Sequence, residues 1–268
     1  MSLHFAAVMP HSPLLIPNIG KENTSQFVST VPAIQQVAEK IAQAKLDTLL
    51  VISAKGATVD NNFTINVHQE FKANFEIFGD LVTDLRIPGD LELAGRFREH
   101  LEAEYPVRLA TDTGLDYAAS VPLFLISDTI KLPIVPLIVP QNSHDLIQAF
   151  APALQETILN SKKRIGIIAA ADLSHRLSKQ SPAGYSAKAK KIDQRLVDIL
   201  KENNAKGLIE IESSAVEAAC EDIPVLDLFL GLLDDVGATP GIVNYEPLFG
   251  VGHLTLCYDL GSHSSTQL

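Results

Sequence analysis

The eleven residues Ile165-Gly166-Ile167-Ile168-Ala169-Ala170-Ala171-Asp172-Leu173-Ser174-His175 decide the fold. The first six are apolar without alternation, the pattern of a strand covered on both faces, and the run stops abruptly at polar residues. The same grammar recurs. Phe5–Met9 runs into Pro10-His11-Ser12-Pro13, Thr48–Ser53 into Ala54-Lys55-Gly56, and Gly241–Asn244 into Tyr245-Glu246-Pro247, while Ile134–Val139 and Leu254–Tyr258 are further short apolar or β-branched runs. Between them lie helical periodicities over Ala33–Ala44, with Pro32 at a first helical position, and over Leu91–Tyr105, His144–Leu159 and Ala187–Lys201. Strands alternating with helices predict an α/β protein with a mainly parallel or mixed sheet and helices on both faces. Asn61–Phe78 alternates well enough to add a hairpin.

The chain has 268 residues, enough for one large or two small domains. Neither a repeat nor a linker divides it, so a single domain over 1–260 is expected, followed by a polar, frayed tail, 261–268. With 46% hydrophobic and 20% charged residues the composition is that of a globular protein. The net charge of −11 and a pI near 5.1 argue against a nucleic-acid partner. Cys220 and Cys257 make neither a disulfide framework nor a metal knuckle, which fits a reducing cytoplasm. The first residues lack a basic segment and are broken by Pro10 and Pro13, so no signal peptide is read there. Apolar runs such as Val121–Ile126 are far shorter than the roughly 20 residues of a membrane span, and no membrane partner is expected.

Ligands of open α/β sheets bind beyond the carboxyl ends of the strands. If the strands lie side by side, His11, Lys55, His175 and Glu246 meet in one pocket. Two histidines and a carboxylate from separate strands can hold iron or zinc with open positions for substrate. The same residues also suit plainer roles, His11 as a loop residue and Asp172 or Ser174 as a helix cap. Ser174 beside His175 and Asp172 does not make a hydrolase triad, because no Gly-x-Ser-x-Gly elbow surrounds it. Phe249-Gly250-Val251-Gly252 lacks the helix and lysine of a phosphate loop and reads as a close approach of strands. Residues 162–195 carry a net +7, a rim that could attract an anionic ligand but reads more simply as a solvated helix face.

Three motifs carry a resemblance: His11-Ser-Pro-Leu-Leu-Ile-Pro-Asn-Ile-Gly20, Asp172-Leu-Ser-His175-Arg-Leu with Ala183-Gly-Tyr185, and Tyr245-Glu246-Pro-Leu-Phe249-Gly-Val-Gly252. In order and spacing, over Leu3 to Tyr258, the chain resembles the class III extradiol ring-cleavage dioxygenases of the LigB type, which are related to the Memo family. The resemblance implies a single α/β domain that cleaves a catechol with dioxygen at Fe(II). It places one histidine ligand at His11, the glutamate ligand at Glu246 and the acid/base histidine at His175. It further implies a small aromatic substrate, a homodimer and, in some relatives, a small partner subunit.

Three departures accompany it. Where relatives carry Ser-Pro-His-Gly with the second histidine ligand, this chain reads Ser53-Ala54-Lys55-Gly56. An ammonium has no lone pair for a metal, so Lys55 could instead set its charge in the vacated site and pair with Glu246. Tyr117 stands where relatives have a histidine facing the substrate. His253 follows Gly252 where relatives often have tyrosine, and could be a compensating ligand. Two readings result: an iron-dependent ring-cleaving oxidoreductase, or a degenerate, metal-free or repurposed relative with a binding or regulatory role. The cofactor is accordingly Fe(II), another divalent ion such as zinc, or none.

Overall fold

A computed structural model describes residues 2–56, 61–141 and 144–260 of the chain. The strands, in chain order, are β1 (Leu3–Met9), β2 (Thr48–Ser53), β3 (Phe63–Asn66), β4 (Glu70–Phe75), β5 (Asp80–Pro88), β6 (Val107–Ala110), β7 (Ile134–Ile138), β8 (Ile165–Ala170), β9 (Ala238–Leu248) and β10 (Val251–Leu260). The helices are α1 (Pro17–Gly20), α2 (Thr30–Ala44), α3 (Leu91–Leu101), α4 (Tyr117–Ile126), α5 (His144–Leu159), α6 (Ala189–Lys201), α7 (Ala205–Glu217) and α8 (Ile223–Leu232).

Eight strands form one mixed sheet in the order β6-β3-β7-β2-β8-β1-β10-β9. Its centre, β7-β2-β8-β1, is parallel, and the edge pairs β1-β10 and β10-β9 are antiparallel. Strands β2, β7 and β8 are buried along their whole length and β1 at every residue but His4, as their apolar sequences predict. Alternate residues feed opposite cores. Ala6 and Val8 of β1, with Leu50 and Ile52 of β2, pack on one face against α3, α5, α6 and α8, whereas Phe5, Ala7, Met9, Leu49 and Val51 pack on the other against α2, α4 and β4. The expected single-domain α/β sheet with helices on both faces is therefore present.

The hairpin expected over Asn61–Phe78 forms elsewhere. β3 joins the edge of the main sheet between β6 and β7, and β4 pairs instead with β5 in a separate two-stranded sheet. Alternation within residues 61–78 could not reveal which partner each strand would find. The apolar run Val121–Ile126 is the second half of α4, capped by Asp116, whose side chain accepts from the Ala119 amide. Helix α8 is buried on nearly every side, so its sequence carries little helical periodicity. Residues 261–268, expected to be a tail, lie outside the described residues.

Candidate functional site

Most of the candidate side chains follow a strand or begin a helix at the carboxyl edge of the parallel strands, while Glu246 and His253 lie within the antiparallel strands β9 and β10. His11 follows β1, Lys55 follows β2, and Asp172 to His175 follow β8, which lies between β1 and β2 in the sheet. Adjacent parallel strands ending together thus bring residues 11, 55 and 172 to one place. Asp222, which immediately precedes α8, completes the cluster.

His11 is buried between two carboxylates. Its Nε2 lies 2.6 Å from Asp222 Oδ2, and its Nδ1 lies 3.4 Å from Asp172 Oδ2. Burial alone would lower the pKa of this imidazole, but Asp222 and Asp172 outweigh it and raise the value to about 9. At neutral pH His11 is an imidazolium that donates from Nε2 to Asp222 in a short, charge-assisted hydrogen bond, while Asp172 attracts it as an ion pair without a hydrogen bond to Nδ1. Asp172 also accepts from His253, with Nδ1 3.0 Å from Oδ1. Burial would raise the pKa of Asp172, but His11 and His253 hold its carboxyl well below the ordinary range. Asp222 additionally receives the Asp172 amide at 3.0 Å.

Lys55 closes the other end of the cluster. Its Nζ lies 2.5 Å from Glu221 Oε2 and 3.4 Å from Asp222 Oδ1. Burial favours the neutral amine, yet Asp222 and Glu221 prevail and raise its pKa, so Lys55 remains a cation. The expected pairing of Lys55 with Glu246 is thus corrected: a lysine after β2 finds its counter-ions in the two acids preceding α8. Bases and acids alternate as His253, Asp172, His11, Asp222, Lys55 and Glu221.

Glu246 faces a different task. It is in register with His253 on the β9–β10 ladder, and its carboxylate accepts from the Thr30 amide at 2.9 Å, the Thr30 hydroxyl at 2.6 Å and the Ser29 amide at 3.3 Å. Those groups open α2, whose N-cap residue Ser29 supplies no side-chain cap of its own. An acid from another strand therefore caps this helix. Burial would raise the Glu246 pKa, but the Thr30 and Ser29 donors lower it overall.

Tyr117 begins α4 and meets His11 edge-on, ring centroids 5.5 Å apart. Burial, helped by the surrounding carboxylates against the opposing Lys55 charge, pushes its phenol up to about 12, so it stays a donor. His175 is half-buried, with Nδ1 3.1 Å from the Ala219 carbonyl. Ser174 donates to the Ala218 carbonyl and anchors the loop, consistent with the absence of a triad. Of the basic segment, Arg176 donates to the Ala183 and Glu217 carbonyls and Lys188 pairs with Glu217, so these two cations are engaged within the fold.

Sequence reasoning missed Asp222. Only a weak signal marked it, an acid two residues before Pro224, the pattern of a helix start. Its contact with His11, 211 residues away, exists only after folding.

The residues do not fit an iron centre of two histidines and a glutamate. His11 Nε2 is engaged by Asp222, and its Nδ1, buried without a hydrogen-bond partner, carries a proton while the ring is an imidazolium, so neither nitrogen offers a lone pair in that state. Lys55 has no lone pair while protonated, and Glu246 already accepts from Ser29 and Thr30. Among the described residues, no three His, Cys, Asp or Glu side chains are arranged to hold a metal ion.

Acid, base and phenol groups thus gather at the carboxyl edge of the parallel strands of a mixed α/β sheet. The chain belongs to the family described as the catalytic LigB subunit of aromatic ring-opening dioxygenase, whose profile matches residues 5–254. Protein CA_C1420 of Clostridium acetobutylicum is 25% identical over 283 aligned positions, covering 100% of this chain and 60% of that protein. The chain thus spans about 60% of the length of that relative. The crystal structure of an uncharacterized protein, JW3007, from Escherichia coli K12 shares the fold with a TM-score of 0.67 at 16% identity, covering 96% of this chain and all of that one. No helix among the described residues is long and apolar enough to cross a membrane.

Proposed function

We propose that this LigB-family protein is a repurposed, metal-free member that binds a small molecule at the carboxyl edge of its sheet and does not cleave aromatic rings. One observation carries this reading: Asp222 is shared between the His11 imidazole at 2.6 Å and the Lys55 ammonium at 3.4 Å. Two organic cations thus take the place of a divalent ion. Each would repel such an ion, and each would have to lose a proton before ligating it. With Tyr117 protonated, the site offers hydrogen-bond donors and fixed charges, which bind and orient a ligand without redox chemistry. A homodimer is part of the proposal, supported by Ile77, Leu81 and Val82 standing exposed around the β4–β5 turn.

Family membership favours a second reading, Fe(II)-dependent extradiol cleavage of a catechol with dioxygen, with His175 as acid/base. Elemental analysis of protein purified without oxygen and then dialysed against ferrous salt separates the two. The repurposed reading expects far less than one iron or zinc per chain. A near-stoichiometric content of either would overturn it and make catechol cleavage the next assay.

A further inference from the structure

Beside the ionic cluster, the layer formed by α5, α7 and α8 encloses a cavity of about 590 Å³, within the usual range of small-molecule sites. Its floor is aliphatic, with Ile147, Leu208 and Ile223. At its mouth, Ile209 and Val216 of α7 are 48% and 68% exposed, apolar surface that an occupant would cover.

One wall carries a polar device that the ionic cluster does not use. His144, the first residue of α5, places Nδ1 2.7 Å from Asp227 Oδ2. One turn later Gln148 donates to the other oxygen of the same carboxylate, also at 2.7 Å. Asp227 is buried in α8 and grips both residues, so the His144 ring is held in one orientation with Nδ1–H directed at the acid. The remaining polar atom of the ring is Nε2, and His144 lines the cavity. The clamp also fixes an imidazole at the edge of the cavity, and a ring held in one orientation there is prepared for a ligand.

The charges around the cavity are already matched. Lys55 pairs with Glu221 and Asp222, while Asp227 is bound by His144 and Gln148. A charged ligand would leave water without gaining an uncommitted counter-ion. A hydroxyl suits Nε2 best, because it can donate to an imidazole and also accept from one. We propose that this cavity binds an uncharged, largely apolar alcohol or phenol whose hydroxyl is hydrogen-bonded by Nε2 of His144. Lys55 and Glu221 line this cavity too, so the choice of an uncharged ligand rests on the metal-free reading of the cluster, which the metal content tests separately.

The chain has no tryptophan, so an Ile209→Trp variant carries a single reporter at the cavity mouth. Titration of this variant with 1-naphthol, naphthalene and 1-naphthoate tests the assignment. The expected order is 1-naphthol tightest, about fivefold tighter than naphthalene for one net hydrogen bond, and 1-naphthoate weakest. Adding His144→Phe should bring 1-naphthol to the naphthalene value. If that substitution prevents folding, long-range proton–nitrogen NMR of His144 takes its place, with Nε2 expected to shift on adding 1-naphthol and not naphthalene. Equal affinities for 1-naphthol and naphthalene, tighter binding of 1-naphthoate, an unmoved Nε2, or no response to any probe up to its solubility limit would each overturn the proposal.

Discussion

Replacing Asp222 by asparagine tests the ionic cluster where it is most connected. Asparagine keeps the shape and an oxygen able to accept from the Asp172 amide, but removes the charge shared by His11 and Lys55. Raising His11 from 6.5 to about 9 corresponds to about 3 kcal/mol of stabilisation from its proton. The sign follows from the direction of the shift. A group whose folded pKa is raised gives its full stabilisation below the unfolded value of 6.5 and loses it as pH rises through about 9. Asp222→Asn should therefore destabilise the protein by about 3–5 kcal/mol at pH 6.5, as expected for breaking a buried ion network. At pH 9.5, where His11 in the parent has already released its proton, the penalty should shrink by about 3 kcal/mol. Urea unfolding of both proteins at both pH values measures this, and the difference between them cancels the titrating groups that do not feel Asp222. A penalty that is equal at the two pH values would refute an imidazolium at His11.

Other consequences can be read from the same contacts. Lys55→His removes an ammonium and adds a lone pair beside Asp222, so Zn²⁺ binding by calorimetry should strengthen at least tenfold over the parent. Glu246→Gln weakens the cap on α2 and should lower stability by about 1 kcal/mol at pH 7, measured by urea unfolding. Because the Glu246 pKa is lowered on folding, the parent loses this contribution as pH falls below 4.5, and the variant should narrow its deficit there. Gly250 has a φ of +79° beside Phe249 at +53° in the two-residue turn of β9–β10, and an added Cβ would sit 2.1 Å from Ser181 Oγ. Gly250→Ala should cost about 2 kcal/mol or more, seen as a lowered unfolding midpoint, while alanine at half-buried Gly95 of α3, where an added Cβ meets no atom within 4 Å, should be neutral or stabilising.

Much of the architecture was legible because burial on both sides leaves a local trace. The unbroken apolar runs of β2 and β8 carry their strand boundaries in the sequence, as does the period of α5, where Ile147, Phe150, Leu154 and Ile158 turn inward. Polar residues after such strands also announce an edge where chemistry can gather, and His11, Lys55, Tyr117 and Asp172 do meet there. Partnership left no such trace. Asp222 contacts His11 across 211 residues, Glu246 caps a helix that begins 216 residues earlier, and β4 takes β5 instead of β3. A strand's period reports which face is buried, whereas a carboxylate's choice among a metal, a lysine and a helix end depends on which donor the fold brings within 3 Å. The sequence determined the alternation of doubly buried strands with helices and the family. Only the tertiary structure decided that Lys55 and His11 share Asp222 while Glu246 serves α2, because hydrogen bonds and ion pairs act at ranges that chain order does not encode.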